Sequence, residues 1–288
     1  MSVISKVKTL LEMIKFEHTI FALPFAFMGA FLAAQGLPRL SQCLWILLGM
    51  VGGRTAAMGF NRIVDAPFDA QNPRTATRAI PKGEVSRLEA WGMVLLAIAL
   101  YFLAAYKLNP LAFKVSPFFL AIILAYSYTK RFTPLCHIFL GLAIGLAPVA
   151  GWIGVKGTMN FLPAVLSAGV MFWVAGFDIL YSCLDHEFDK GQGLHSIPAA
   201  VGLKKAFVIS SILHILAFIC FIAVGIMAHL NFIYYLGLAA TFVLLFKQHT
   251  IVKPDDLSRL DMAFFTFNGA ISVILFAATA LSLIFKGS

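Results

Sequence analysis

The sequence predicts an all-α integral membrane protein, with nine transmembrane helices around a central cavity under a cytoplasmic polar cap. Three observations predict it. Mean hydropathy is +0.90 and only 12% of the 288 residues are charged, about half the charged fraction of a soluble domain. Nine apolar runs come near the roughly 20 residues that cross a bilayer. Lys and Arg fall mainly on alternate loops. No stretch outside the runs is long enough for a separate domain, so residues 1–288 read as one transmembrane unit.

The first run, 17–36, follows Lys6, Lys8 and Lys15. It lacks a short apolar core with a small-residue cleavage site, so it reads as a retained helix and not as a signal peptide. The second run, 42–64, leads into an acidic motif. The third, 89–107, and the fourth, 112–129, meet at Asn109-Pro110, a turn signal. The fifth covers 136–155, and the sixth, 160–183, leads into a second acidic motif. The seventh, 205–228, and the eighth, 231–247, meet at His229-Leu230-Asn231, and the ninth spans 263–285. Cys43, Cys136, Cys183 and Cys220 lie in or beside these runs, with neither metal-ligand spacing nor a disulfide framework.

Loop charge sets the orientation. The N-terminus and the even-numbered loops hold 16 of the 22 Lys and Arg: Lys6, Lys8, Lys15, Arg62, Arg74, Arg78, Lys82, Arg87, Lys130, Arg131, Lys190, Lys204, Lys205, Lys247, Lys253 and Arg259. The opposite side holds Arg39, Lys107, Lys114, Lys156 and Lys286, and Arg54 falls inside the second run. The excess places the N-terminus and the motif-bearing loops in the cytoplasm of a cell whose inner (plasma) membrane holds the protein. The same rule accounts for the net charge of +9 without a nucleic-acid partner.

The 13 acidic residues are scarce, and two groups of them share a helical spacing. The first group is Asn61, Asp65 and Asp69; the second is Asp178, Tyr181, Asp185 and Asp189. Residues three or four apart share one helix face, so each group forms a polar stripe. Pro67 lies inside the first stripe and is expected to bend or end its helix, which turns Asp69 away. Asp65-Ala66-Pro67-Phe68-Asp69 matches Asp185-His186-Glu187-Phe188-Asp189, and Ile80-Pro81 and Ile197-Pro198 follow them respectively. The offset spans an even number of runs, which reads as two parallel half-repeats.

Carboxylates one turn apart repel unless a cation lies between them. Hard oxygen ligands suit Mg²⁺, which binds through one or two carboxylates plus substrate phosphates. Two facing stripes would hold a Mg²⁺-bound diphosphate. The nearby bases Arg74, Arg78, Lys130 and Arg131 suit the same anion. Arg54 lies at depth, where an arginine costs roughly 2.5–3.5 kcal/mol, so it is expected to face the interior and pair with something. Loop topology alone explains Arg62 and Arg87.

These residues carry a family resemblance across the whole chain. The two acidic motifs resemble those of the UbiA family of intramembrane aromatic prenyltransferases. Asn72-Pro73-Arg74-Thr75-Ala76-Thr77-Arg78-Ala79-Ile80-Pro81 is similar to the family's arginine-bearing loop, and Tyr126-Ser127-Tyr128-Thr129-Lys130-Arg131 to its Tyr/Lys/Arg segment. The resemblance implies nine helices around a capped cavity and transfer of a polyprenyl chain from a polyprenyl diphosphate to a small aromatic acceptor. It implies Mg²⁺ held by Asn61, Asp65, Asp69, Asp185 and Asp189, with Asp65, Asp178, Tyr181 and Asp185 as the catalytic group. Diphosphate contacts fall to Arg54, Arg74, Arg78, Lys130 and Arg131. In helix one, Glu17 and His18 resemble the segment of menaquinone-type and 4-hydroxybenzoate-type members, and are candidate acceptor contacts. The acceptor stays open between 4-hydroxybenzoate and a dihydroxynaphthoate, in ubiquinone or menaquinone synthesis. Two alternatives stand beside this reading: a cation-coupled transporter using intramembrane carboxylates, and a prenyltransferase acting on a non-aromatic lipid or haem. Acids placed at helix ends, away from the midplane, count against transport.

Overall fold

The computed structural model describes residues 3–14 and 22–285. Among them, eight helices are long and apolar enough to cross a membrane: α3 (Leu40–Asp69), α4 (Arg87–Leu108), α5 (Pro110–Thr129), α6 (Cys136–Lys156), α7 (Phe161–Ser182, its span continuing to Gly191), α10 (Leu203–Met227), α11 (Phe232–Ile251) and α13 (Asn268–Ile284, its span beginning at Phe264). The ninth apolar helix, α2 (Leu23–Ala34), has 12 described residues. The short elements are α1 (Val3–Met13), α8 (His186–Gly191), α9 (Ile197–Val201) and α12 (Leu260–Met262). The protein is a multi-pass membrane protein, and each of the nine apolar runs corresponds to one helix among the described residues, which take up the first run only from residue 22.

Polar residues mark the helix starts. Ser86 and Glu89 form a reciprocal capping box at α4. Asn109 caps α5, with Pro110 in its first turn. The Asn109 amide also donates to the Ile153 and Gly154 carbonyls, at 2.7 and 3.2 Å, tying the α4–α5 turn to α6. Asn160 and Asn231 cap α7 and α11.

Association of helices in lipid depends on close packing, because the tails are as apolar as the side chains. The α2–α6 contact shows how. A Cβ on Gly29 would overlap the Pro148 carbonyl, and one on Gly151 would overlap that of Ala26. The main core joins α2, α7, α10, α11 and α13 through Phe25, Met28, Trp173, Phe221, Tyr234 and Leu275. Leu95, Phe118, Ile215, Leu236 and Phe246 point outward, as a lipid-facing surface requires.

The N-terminal helix lies over the polar end. Met13 and Ile14 pack with Ile63, Ala79, Val85 and Val94. Lys6 Nζ donates to the Glu84 carbonyl at 2.9 Å and pairs with Glu89 at 2.9 Å. The buried Arg62 Nε donates to the Met13 carbonyl at 3.2 Å. Arg62, which the loop-charge rule had absorbed, thus fastens α1 to α3. The 70–86 loop between α3 and α4 is held from both sides by these contacts.

Candidate active site

A cavity of about 240 Å³ lies where the ends of α3, α5 and α7 meet the start of α6 and the 70–86 loop. Both acidic motifs line it: Asn61, Asp65 and Asp69 from α3, and Asp178, Tyr181 and Asp185 from α7 and its extension. Arg74, Arg78, Lys130 and Arg131 complete the rim.

The first stripe stays on one helix. α3 runs through Pro67 to Asp69, so the expected break does not occur. Asp69 faces the cavity, buried, and accepts from Arg78 Nη1 at 2.6 Å. Its second oxygen, Oδ2, is buried without a hydrogen-bond partner among the described residues. One turn earlier, Asp65 accepts from Asn61 Nδ2 at 2.8 Å and lies 3.5 Å from Arg131 Nη2. Arg131 is fixed by a 2.9 Å bond to the Val64 carbonyl and by stacking over Phe68 and Tyr128, each ring centroid 5.1 Å away.

The second stripe does not stay on one helix. α7 ends at Ser182, a 3₁₀ turn covers Cys183–Asp185, and α8 follows. The tighter turn changes the angular advance per residue. Asp185 reaches the cavity, while Asp189 is fully buried beneath it and pairs with Lys130 Nζ at 2.7 Å. The two motifs are bridged by the loop. Arg74 grips Asp185 with two donors, Nε to Oδ1 at 2.9 Å and Nη2 to Oδ2. Asn72 Nδ2 donates to the same Oδ1 at 3.0 Å. The Arg74 guanidinium lies over the Tyr181 ring at 5.4 Å.

Each carboxylate therefore faces a base: Asp65 Arg131, Asp69 Arg78, Asp185 Arg74, Asp189 Lys130. Asp178 faces a different partner, His137. Bases and acids converge on one cavity, and in doing so neutralise one another across it.

One expected contact falls elsewhere. Arg54 does not line the polar cavity. It lines a second, apolar cavity of about 120 Å³ with Met50, Met58, Tyr101, Ile123 and Ala147, because its position on α3 lies deeper than the stripe. It thus stands apart from Arg74, Arg78, Lys130 and Arg131, the other expected diphosphate contacts. Glu17 and His18 lie outside the described residues. Tyr126 and Leu140 line both cavities and so mark where they adjoin. The sequence reading did not single out His137 or the role of Asn72. Asn72 stood inside the arginine-bearing segment. His137 offered no signal, being 41 residues from Asp178 in the chain.

The described architecture has counterparts among known proteins. A family model described as the UbiA prenyltransferase family matches residues 22–271. The chain is 32% identical over 266 residues to a 4-hydroxybenzoate octaprenyltransferase of Nitrosospira multiformis, covering 90% of this chain and 89% of the relative. It is similar to the apo structure of a UbiA homolog from Aeropyrum pernix K1, with a TM-score of 0.85, 36% identity and coverage of 92% and 98%. A UbiA homolog from Archaeoglobus fulgidus, bound to DMAPP and Mg²⁺, shares the fold at a TM-score of 0.72 and 23% identity, with coverage of 96% and 99%.

Proposed function

The chain belongs to the UbiA prenyltransferase family, and from that premise we propose that it transfers a polyprenyl chain from a polyprenyl diphosphate to the ring of a small aromatic acceptor in respiratory quinone synthesis. One observation carries the reading: two acidic stripes and four bases line a single cavity that adjoins an apolar one. The Nitrosospira relative is named for prenylating 4-hydroxybenzoate, and the Archaeoglobus homolog holds a prenyl diphosphate with Mg²⁺. By loop charge the cavity faces the cytoplasm.

The donor set fits Mg²⁺. Its groups are hard carboxylate oxygens, and the orphaned Asp69 Oδ2 is a buried acceptor still lacking a partner. Asp65, Asp69 and Asp185, with Asn61, would hold the ion, which supplies charge neutralisation of the leaving diphosphate. Arg74, Arg78 and Arg131 bind diphosphate oxygens by exchanging a carboxylate partner for a phosphate one, and Lys130 binds one through its remaining N–H donors. Asp189 stays beneath Lys130 and orients it.

In transfer, the allylic C–O bond breaks with both electrons passing to the diphosphate. A ring carbon of the acceptor bonds to the prenyl C1, and the ring proton leaves to a cavity carboxylate. The adjoining apolar cavity takes the near end of the prenyl chain and keeps water from the reacting centre. The acceptor choice is between 4-hydroxybenzoate and a dihydroxynaphthoate. The test is turnover by the purified protein with one prenyl diphosphate and Mg²⁺, offering 4-hydroxybenzoate and 1,4-dihydroxy-6-naphthoate in parallel. A C-prenylated product from one of them is expected, lost on chelation. Absence of product from both would overturn the reading.

A further inference from the structure

Asp178 differs from the other carboxylates of the two motifs. Asp65, Asp69, Asp185 and Asp189 each face a guanidinium or an ammonium group. Asp178 faces an imidazole: His137 Nδ1 lies 2.6 Å from Asp178 Oδ2. His137 is 2% exposed, in the first turn of α6. Its other ring nitrogen, Nε2, accepts the backbone N–H of Ile197 at 3.3 Å. A backbone amide only donates, so Nε2 carries a lone pair and Nδ1 carries the proton. The ring thus donates its Nδ1–H to the Asp178 carboxylate.

The clamp on the ring is itself anchored. His195 N donates to the Lys130 carbonyl at 2.7 Å, and Cys136 Sγ to the His195 carbonyl at 3.4 Å. Ser196 is fully buried and caps α9. The segment after the second motif thus fixes Ile197, Ile197 fixes His137, and His137 fixes Asp178. The Asp178 side chain retains 23% exposure on the cavity wall, one turn before Tyr181. The His137 contact engages one Asp178 oxygen, Oδ2, and so orients the carboxylate on the cavity wall.

We propose that His137 is a positioning residue for the transfer step, holding Asp178 so that its free oxygen meets the aromatic acceptor and takes the ring proton. This rests on the aromatic prenyl transfer proposed above. The balance is complete: the C–C bond forms as the donor C–O bond breaks onto the diphosphate, and the ring C–H proton passes to Asp178 and then to water.

The experiment compares the purified wild-type protein with His137→Phe, His137→Gln, Asp178→Asn and the His137→Phe/Asp178→Asn double variant. The readings are kcat and KM for donor and acceptor, and Mg²⁺-dependent hydrolysis of the donor without acceptor. His137→Phe is expected to lower kcat for transfer about 10- to 100-fold, within or below the roughly 10²–10⁴ supplied by a general base. Donor KM and donor hydrolysis stay within about twofold of wild type. His137→Gln, which keeps an N–H donor, recovers part of the loss. The double variant is no slower than Asp178→Asn alone. The inference is overturned if His137→Phe transfers at the wild-type rate, if donor hydrolysis falls in parallel with transfer, or if the two substitutions multiply. If the wild-type protein prenylates no aromatic acceptor yet hydrolyses the donor, the functional reading fails instead.

Discussion

The two acidic stripes share a spacing but not a backbone. On α3 the stripe is one uninterrupted face, and Asn61, Asp65 and Asp69 all open to the cavity in spite of Pro67. On α7 the helix stops at Ser182, a 3₁₀ turn intervenes, and only the members up to Asp185 reach the cavity. Asp189 is the formal match of Asp69. Yet Asp69 lines the cavity, whereas Asp189 is fully buried outside its lining and paired with Lys130. A repeat in sequence preserves residue types at intervals; the local winding of the backbone decides which of them face a ligand.

Substitutions break this comparison at different points. Asp65→Ala and Asp185→Ala, one on each stripe, are expected to lose about 10²–10³-fold or more in Mg²⁺-dependent turnover, the scale of removing one electrostatic stabiliser of developing charge. Near-normal turnover in either purified variant would end the idea of two matched stripes. Arg74→Ala is expected next, with kcat/KM for the prenyl diphosphate down about 10- to 100-fold. Arg74→Lys should recover little, because a single ammonium does not reproduce the two-donor fork that Arg74 presents to Asp185 and would present to a phosphate. Full recovery by lysine would show that charge alone matters there.

Asp69→Asn and Asp189→Asn sharpen the contrast directly. The first should act on catalysis, lowering turnover with little change in melting temperature. The second leaves Lys130 without its partner. With Lys130 partly open to water, the expected cost is about 1–3 kcal/mol of stability, less than a fully buried pair would lose. A turnover loss as large as that of Asp69→Asn, with an unshifted melting temperature, would restore Asp189 to the metal-binding set. The smallest effect is expected for Pro67→Ala. The helix already passes through this position, so turnover should stay within about twofold and thermal stability should hold or rise. A marked fall in turnover would mean that the proline shapes the last turn of α3 after all.

Sequence legibility followed the range of the interactions. Apolar runs, caps and turn signals act within a few residues, and so the nine apolar helices could be read off composition and punctuation, whereas the short α8, α9 and α12 could not. The stripes were legible for the same reason, as i, i+4 relations within one helix. The loop bases were legible as candidates, but their pairings were not. Arg74 reaches across to Asp185, 111 residues away, and Arg78 turns back to Asp69. Arg54 was legible as a buried cation, but its depth along α3 removed it from the polar cavity.

The sequence by itself determined the membrane class, the helices, the two acidic stripes and the family. All are written in local chemistry: hydropathy over about 20 residues, and polar groups repeated at the helical period. Only the tertiary structure decided that Asp189 is closed off, that Arg54 belongs to the apolar cavity, and that His137 is the partner of Asp178. The physical reason is common to the three. A change in helical winding, a depth along a packed helix and a hydrogen bond across 41 residues are settled by how the elements pack together, which no local pattern of residue types encodes.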